Sequence, residues 1–322
     1  MSSLIEQATL RLEQLRRAGA AIPVKEGPTA VPAPVPAVVA AQTKSAPVPT
    51  IPLAEPHKPV QTSQRVEIDL DALAAAGIVS PNAPRSRIAD QYRVLKRPLI
   101  SNAMGKSGAV IDNGNLIMVT SSVPGEGKSF TAINLAISIA AELDNTVMLV
   151  DADVARPSVL RVLGLPPGPG LLDLLVAGSD DLSSMLLKTN IDKLSILPSG
   201  TPHERATEML ASDAMNRLLL DMAKRYADRI IIFDSPPLLL TTESRVLATH
   251  MGQIVMVVQA EKTLRSDVQD ALATIEACPV KLMVLNQART NSAGGYGYGS
   301  GYGSGYGYGY GAQAASKPNQ NP

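Results

Sequence analysis

Residues 116–143 read LIMVTSSVPGEGKSFTAINLAISIAAEL: an unbroken apolar run, a turn with two glycines, and then apolar residues at helical spacing. A strand that enters a helix through Pro124, Gly125, Glu126, Gly127, Lys128, Ser129 and Phe130 is the setting a phosphate loop needs. Gly125 and Gly127 let consecutive backbone N–H groups face one anion, and the helix that follows adds its positive N-terminal end. Lys128 offers a mobile charge to β- and γ-phosphates, and the Ser129 hydroxyl can ligate Mg²⁺. The strict form of the motif starts with glycine six residues before the lysine, a place held here by Ser122. The pattern predicts nucleotide binding.

From Asn115 onward, strands alternate with helical stretches. Strands are expected at 116–122, 146–151, 194–199, 229–234, 253–260 and 280–287. Helices are expected at 129–143, 171–178, 182–188, 204–210, 215–226, 243–250 and 266–277. Strands made of continuous Val, Ile, Leu and Met require a sheet covered on both faces. Right-handed crossovers then give an α/β fold with a doubly wound, mainly parallel sheet of roughly 170 residues. Ligands of such sheets bind at the carboxyl ends of the strands, and two of these strands end in acid. TVMLVDAD places Asp151 and Asp153 there, and RIIIFD places Asp234. Buried carboxylates at a strand end are costly unless matched, and Mg²⁺ on a triphosphate is a match. Capping of a helix start before Pro157 or Pro236 accounts for one of the three but not for all. Lys128, Asp151, Asp153 and Asp234 are therefore the expected catalytic set, with Ser129, Asp151 and Asp234 as metal ligands.

Both ends of the chain differ from this body. Residues 1–20 carry Leu4, Ile5, Ala8, Leu12 and Leu15 near helical spacing, which predicts an amphipathic helix that docks on the body or binds a partner. Ten prolines lie between Pro23 and Pro59, so 21–64 read as an extended linker. Residues 65–112 are a helical lead-in, 113–290 the nucleotide-binding domain, and 291–322 a tail. Residues 294–311 are Gly, Tyr and Ser alone, a composition that builds no core and predicts disorder. Six of the eight tyrosines of the chain fall here: Tyr296, Tyr298, Tyr302, Tyr306, Tyr308 and Tyr310. Packing does not explain them. A Gly-rich stretch of about 16 residues, the separation of Asn286 from Tyr302, spans roughly 20–24 Å, far enough to reach a neighbouring subunit.

Lys and Arg number 29, as do Asp and Glu, which excludes a global field for nucleic acid. The lone Cys278 forms no internal disulfide, and His57, His203 and His250 are too far apart for a zinc site, so a reducing, cytoplasmic setting is expected. No apolar run approaches the ~20 residues a bilayer crossing needs, so any membrane link is expected to run through a partner.

The phosphate loop after SSVP, the second motif LVDADVARP and the third IIIFDSPP together resemble the bacterial protein-tyrosine kinases, P-loop proteins linked to polysaccharide export. The likeness spans about 89–286, and the tyrosine-rich tail is that family's other hallmark. The N-terminal segment, IADQYRVLKRPL and GQIVMVVQAEKT look most similar to soluble autokinases of exosortase-type exopolysaccharide loci. The resemblance implies ATP and Mg²⁺ as cofactors and autophosphorylation of the tail tyrosines in trans, acting on exopolysaccharide synthesis or export. It also implies self-association in a ring-like homo-oligomer and an activating membrane polysaccharide co-polymerase at the inner face of the membrane. It places Asn286 near the adenine, and Asp151 as the base with Asp153 as its alternative. The family's assembly helix reads Glu-x-x-Arg-x-x-Arg; here the matching places are Asp90, Arg93 and Lys96. Two other functions fit the residues: a positioning ATPase of the MinD/ParA type, and a non-catalytic scaffold. The first normally carries a second lysine where Val123 stands and gives the tail tyrosines no use; in the second, the Gly/Tyr tail drives weak self-association.

Overall fold

The computed structural model describes residues 63–81, 86–108, 110–178 and 181–289. The N-terminal helix, the proline-rich linker as far as residue 62 and the tail tyrosines lie outside the described residues.

Among the described residues, eight strands form one sheet, in the order β1-β4-β5-β3-β6-β2-β7-β8. They are β1 (Gln64–Arg65), β2 (Leu116–Ser121), β3 (Thr146–Asp151), β4 (Leu187–Lys188), β5 (Leu194–Leu197), β6 (Arg229–Asp234), β7 (Gln253–Gln259) and β8 (Val280–Asn286). Every pairing is parallel except that of β4 with β5. The sheet is thus mainly parallel and doubly wound, with an apolar cluster on each face. One face gathers Met118, Met148, Ile231, Phe233 and Met256; the other gathers Ile117, Leu149, Ile232 and Val255. Alternate residues of one strand feed both cores, and for that reason the strands carry no polar alternation.

Helix α1 (Leu70–Ala75) is short and starts at Asp69, whose carboxylate accepts the N–H groups of Asp71 and Ala72. α2 (Arg87–Ala103) packs on α3 (Lys128–Ala140), whose residues from Thr131 to Ala140 are all buried. Lys96 of α2 is 5% exposed and pairs with Glu142 at 2.6 Å, while Asp90 and Arg93 pair with each other at 2.7 Å on the surface. The third place of the expected assembly motif is therefore spent inside the protomer.

The expected helix at 182–188 is not formed. Asp181 caps a single 3₁₀ turn, Leu182–Ser184, and β4 then runs antiparallel to β5. Leu182, Met185 and Leu186 have helical spacing, but the strand pairing next to them takes precedence. β8 also departs from the fully buried pattern. As the edge strand it alternates, leaving Met283 and Leu285 more than half exposed while Leu282 and Val284 pack inward.

The remaining helices are α4 (Val159–Val162), α5 (Leu171–Ala177), α6 (Ala206–Leu210), α7 (Asp213–Arg225), α8 (Glu243–Ala248) and α9 (Arg265–Ala273). Among the described residues no helix is long and apolar enough to cross a membrane.

Candidate active site

Strand β2 leads to the site and the helix α3 leaves it. Between them the chain turns with Gly125 at φ 88° and Gly127 at φ 93°, left-handed conformations that a side chain makes costly. A Cβ at Gly127 would also push aside the Asn286 side-chain amide. α3 begins at Lys128 directly after this turn, so loop N–H groups and the helix N-terminus face the same space. A cavity of about 340 Å³ opens there, lined on the loop side by Pro124, Gly125, Gly127, Lys128, Ser129 and Phe130.

Lys128 is surrounded by acid. Its Nζ lies 2.6 Å from Asp153 Oδ2, 4.0 Å from Asp234 Oδ1 and 3.4 Å from Ser129 Oγ. Asp151 and Asp234 are directly opposite in the register of β3 against β6, so parallel pairing sets two carboxylates side by side. Burial pushes the Asp151 carboxyl up to about 7, and the charge of Asp234 adds to this. Burial likewise pushes Asp234 up to about 6, against the pull of Lys128. Asp153 borders the cavity, whereas Asp151 and Asp234 lie buried behind its wall.

Capping explains part of this arrangement. Asp151 Oδ2 accepts the N–H groups of Ser158 and Val159, both at 3.0 Å, and Asp153 Oδ1 accepts that of Arg156. Among the described residues, Asp151 Oδ1 and both Asp234 oxygens have no hydrogen-bond partner. Three orphaned, buried carboxylate oxygens beside a serine hydroxyl suit a hard, oxygen-seeking cation. Among the described residues no three His, Cys, Asp or Glu side chains converge enough to hold an ion by themselves. Ser129 and phosphate oxygens would have to complete its shell.

Glu126 and Asn286 are placed differently from the rest of the expected binding set. Glu126 is 1% exposed and does not line the cavity. Asn286 Nδ2 donates to the Glu126 carbonyl at 2.8 Å, behind the loop. The far wall of the cavity was not foreseen from the sequence, apart from Arg156, the basic residue of the motif LVDADVARP. It consists of Arg156, Arg161 and Val162 after β3, and Pro237, Leu240 and Thr241 after β6. The available signal was position, since both segments directly follow the strands that end in acid.

Residues 114–286 match the family described as an AAA domain. Tyrosine-protein kinase YwqD of Bacillus subtilis is 28% identical over 223 residues, covering 69% of this chain and 90% of YwqD. Tyrosine-protein kinase ptk of Acinetobacter johnsonii is 33% identical over 182 residues, covering 56% of this chain but 24% of ptk. This chain thus matches nearly the whole of one relative and about a quarter of the other. The solved chimerical protein CapA2B2 superposes with a TM-score of 0.54 at 26% identity, over 69% of this chain and 93% of that one. With residues 114–286 matching the AAA domain and Tyrosine-protein kinase CpsD of Streptococcus agalactiae 32% identical over 188 residues, 56% of this chain and 80% of CpsD, the chain belongs to the bacterial tyrosine-protein kinases, proteins with a P-loop AAA domain.

Proposed function

We propose that the protein transfers the γ-phosphoryl group of ATP to the tyrosines of its own C-terminal tail, Tyr296, Tyr298, Tyr302, Tyr306, Tyr308 and Tyr310. The observation that carries this reading is the loop lysine that lines a cavity and pairs with Asp153 and Asp234, carboxylates that follow or end two neighbouring strands. Loop N–H groups, Lys128 and Ser129 hold the phosphates. Mg²⁺, held by Ser129, Asp151 and Asp234, would neutralise charge on them. Asp151, with its carboxyl near neutrality, takes the phenol proton as the tyrosine oxygen bonds to the γ-phosphorus and ADP departs; Asp153 is the alternative base.

The described tyrosines support the tail as acceptor. Tyr92 is 8% exposed, and burial pushes its phenol up to about 12. Tyr226 sits under Arg229 before the start of β6, at the opposite end of the sheet from Asp234. The tail from 290 to 322 contains Lys317 and no acid, so it approaches an acidic, phosphate-bearing site without repulsion. Tethering supplies effective concentrations near millimolar, so the site need not bind tyrosine tightly. Transfer runs in trans between copies, in a ring-like homo-oligomer. An activating membrane polysaccharide co-polymerase would bring the protein to the cytoplasmic face of the membrane, where it regulates exopolysaccharide synthesis or export.

A mixing experiment tests this. A Lys128→Ala chain with its tail intact is incubated with ATP, Mg²⁺ and an active chain whose six tail tyrosines are Phe. Phosphotyrosine on the Lys128→Ala chain is expected. Free phosphate without phosphotyrosine would point to an ATPase instead, and label on the six-Phe chain would move the acceptor elsewhere.

A further inference from the structure

Between Pro124 and Phe130, Glu126 is the one residue that does not line the cavity. Its side chain turns inward and is 1% exposed. The donors that meet its carboxylate are all neutral. Oε2 accepts the Val123 N–H at 2.8 Å; Oε1 accepts the Gln259 N–H at 3.3 Å and the Thr263 hydroxyl. At the backbone of the same residue, the carbonyl accepts Asn286 Nδ2 at 2.8 Å. One residue therefore joins the loop after β2 to the end of β7, to the segment leading into α9 and to the end of β8.

A buried carboxylate carries a large desolvation cost, and a hydrophobic side chain would fill the volume without it. What the carboxylate provides is acceptors only, on two oxygens, facing three donors. A loop that binds phosphate with backbone N–H groups gains affinity when those groups are held in the bound arrangement beforehand. We propose that Glu126 is the positioning residue of the phosphate loop, setting its nucleotide-binding shape from behind by anchoring it to the end of β7 and to Thr263. This rests on the reading of the loop as a nucleotide site.

Glutamine cannot replace it. With the amide nitrogen at the Oε2 place, an NH₂ faces the Val123 N–H; with it at the Oε1 place, it faces the Gln259 N–H. Either orientation sets donor against donor. Since Glu126 acts on the N–H array and not on the base, its loss should affect every polyphosphate alike. The full-length protein and its Glu126→Gln and Thr263→Val variants are titrated with Mg·ATP and with inorganic tripolyphosphate, and ligand-free melting is recorded alongside. Glu126→Gln should weaken both ligands by tenfold or more and raise KM for ATP while leaving KM for a tail peptide unchanged. Thr263→Val removes one donor to Glu126 and a second acceptor of the Gln259 N–H, and should weaken both by about threefold with little change in melting temperature.

Binding of ATP by both variants within twofold of wild type would overturn the proposal. So would a loss seen for ATP and not for tripolyphosphate, which would make Glu126 a base-recognition residue. If Glu126→Gln does not fold, Thr263→Val alone decides. Wild-type protein that binds neither ligand would instead refute the nucleotide reading beneath it.

Discussion

Replacing Asp151 by asparagine should make the protein more stable while abolishing phosphoryl transfer. Asparagine keeps an acceptor for the Ser158 and Val159 N–H groups, and puts an amide where the carboxylate has an oxygen without a partner. It also removes one of two charges held opposite each other. The rise of the Asp151 carboxyl from 3.8 to about 7, at about 1.4 kcal/mol per pH unit, bounds the cost of its ionisation at roughly 4 kcal/mol. The share due to Asp234 belongs to the pair, and a buried amide without partners costs about 1 kcal/mol or more. A net gain of about 2–3 kcal/mol remains, or roughly 4–12 °C in Tm for a domain of this size. Because the folded-state carboxyl is raised, the penalty grows as pH rises from the unfolded value toward 7 and is complete above it. At pH 5 about a third of the ionisation cost remains, roughly 1.5 kcal/mol, which the fixed cost of the amide nearly offsets, so little of the gain should persist. Melting curves in EDTA at pH 8 and pH 5 measure both values. Equal gains at the two pH values, or none at pH 8, would refute the view that repulsion and burial load this site.

Two other outcomes follow from the same geometry. If Asp151 is the base, kcat/KM for a tail peptide should rise with pH to an inflection at or below about 7, because a cation held by the carboxylates lowers that value. A profile still rising between pH 8 and 9 would remove Asp151 from the role. Gly127→Ala should lower ATP affinity by at least tenfold, measured by titration. It combines a left-handed backbone costing about 1–2 kcal/mol with a Cβ that displaces the Asn286 amide from the Glu126 carbonyl.

The strands on either side of the loop were legible because a strand buried on both faces has to be written as unbroken Val, Ile, Leu and Met. Asp151, Asp153 and Asp234 stood out for a related reason, being polar residues at or just past the ends of such strands, and Lys128 stood out through the two-glycine turn before it. The pattern stopped informing where partners decide. Gln64–Arg65 forms a strand only because β4 is beside it, and 182–188 follows the pairing of β4 with β5 over its own spacing. β8 reads as buried but lies at the edge, so Met283 and Leu285 face out. Lys96 sits at the third place of an assembly motif in the sequence and is paired inside the protomer. Nothing local announces that Thr263 and Gln259 reach back 133 residues or more to hold Glu126.

The pairing of Asp151 with Asp234 across β3 and β6 has a consequence for how this site can change. Their spacing is a lattice constant of the parallel sheet, near 4.8 Å between neighbouring strands, and is fixed by backbone bonds that no side-chain substitution alters. The loops that build the outer wall of the cavity can thus be rewritten residue by residue while the charged floor keeps its dimensions. Insertion or deletion of a single residue within either strand behaves differently. It would turn one aspartate to the opposite face of the sheet and erase the pair in one step.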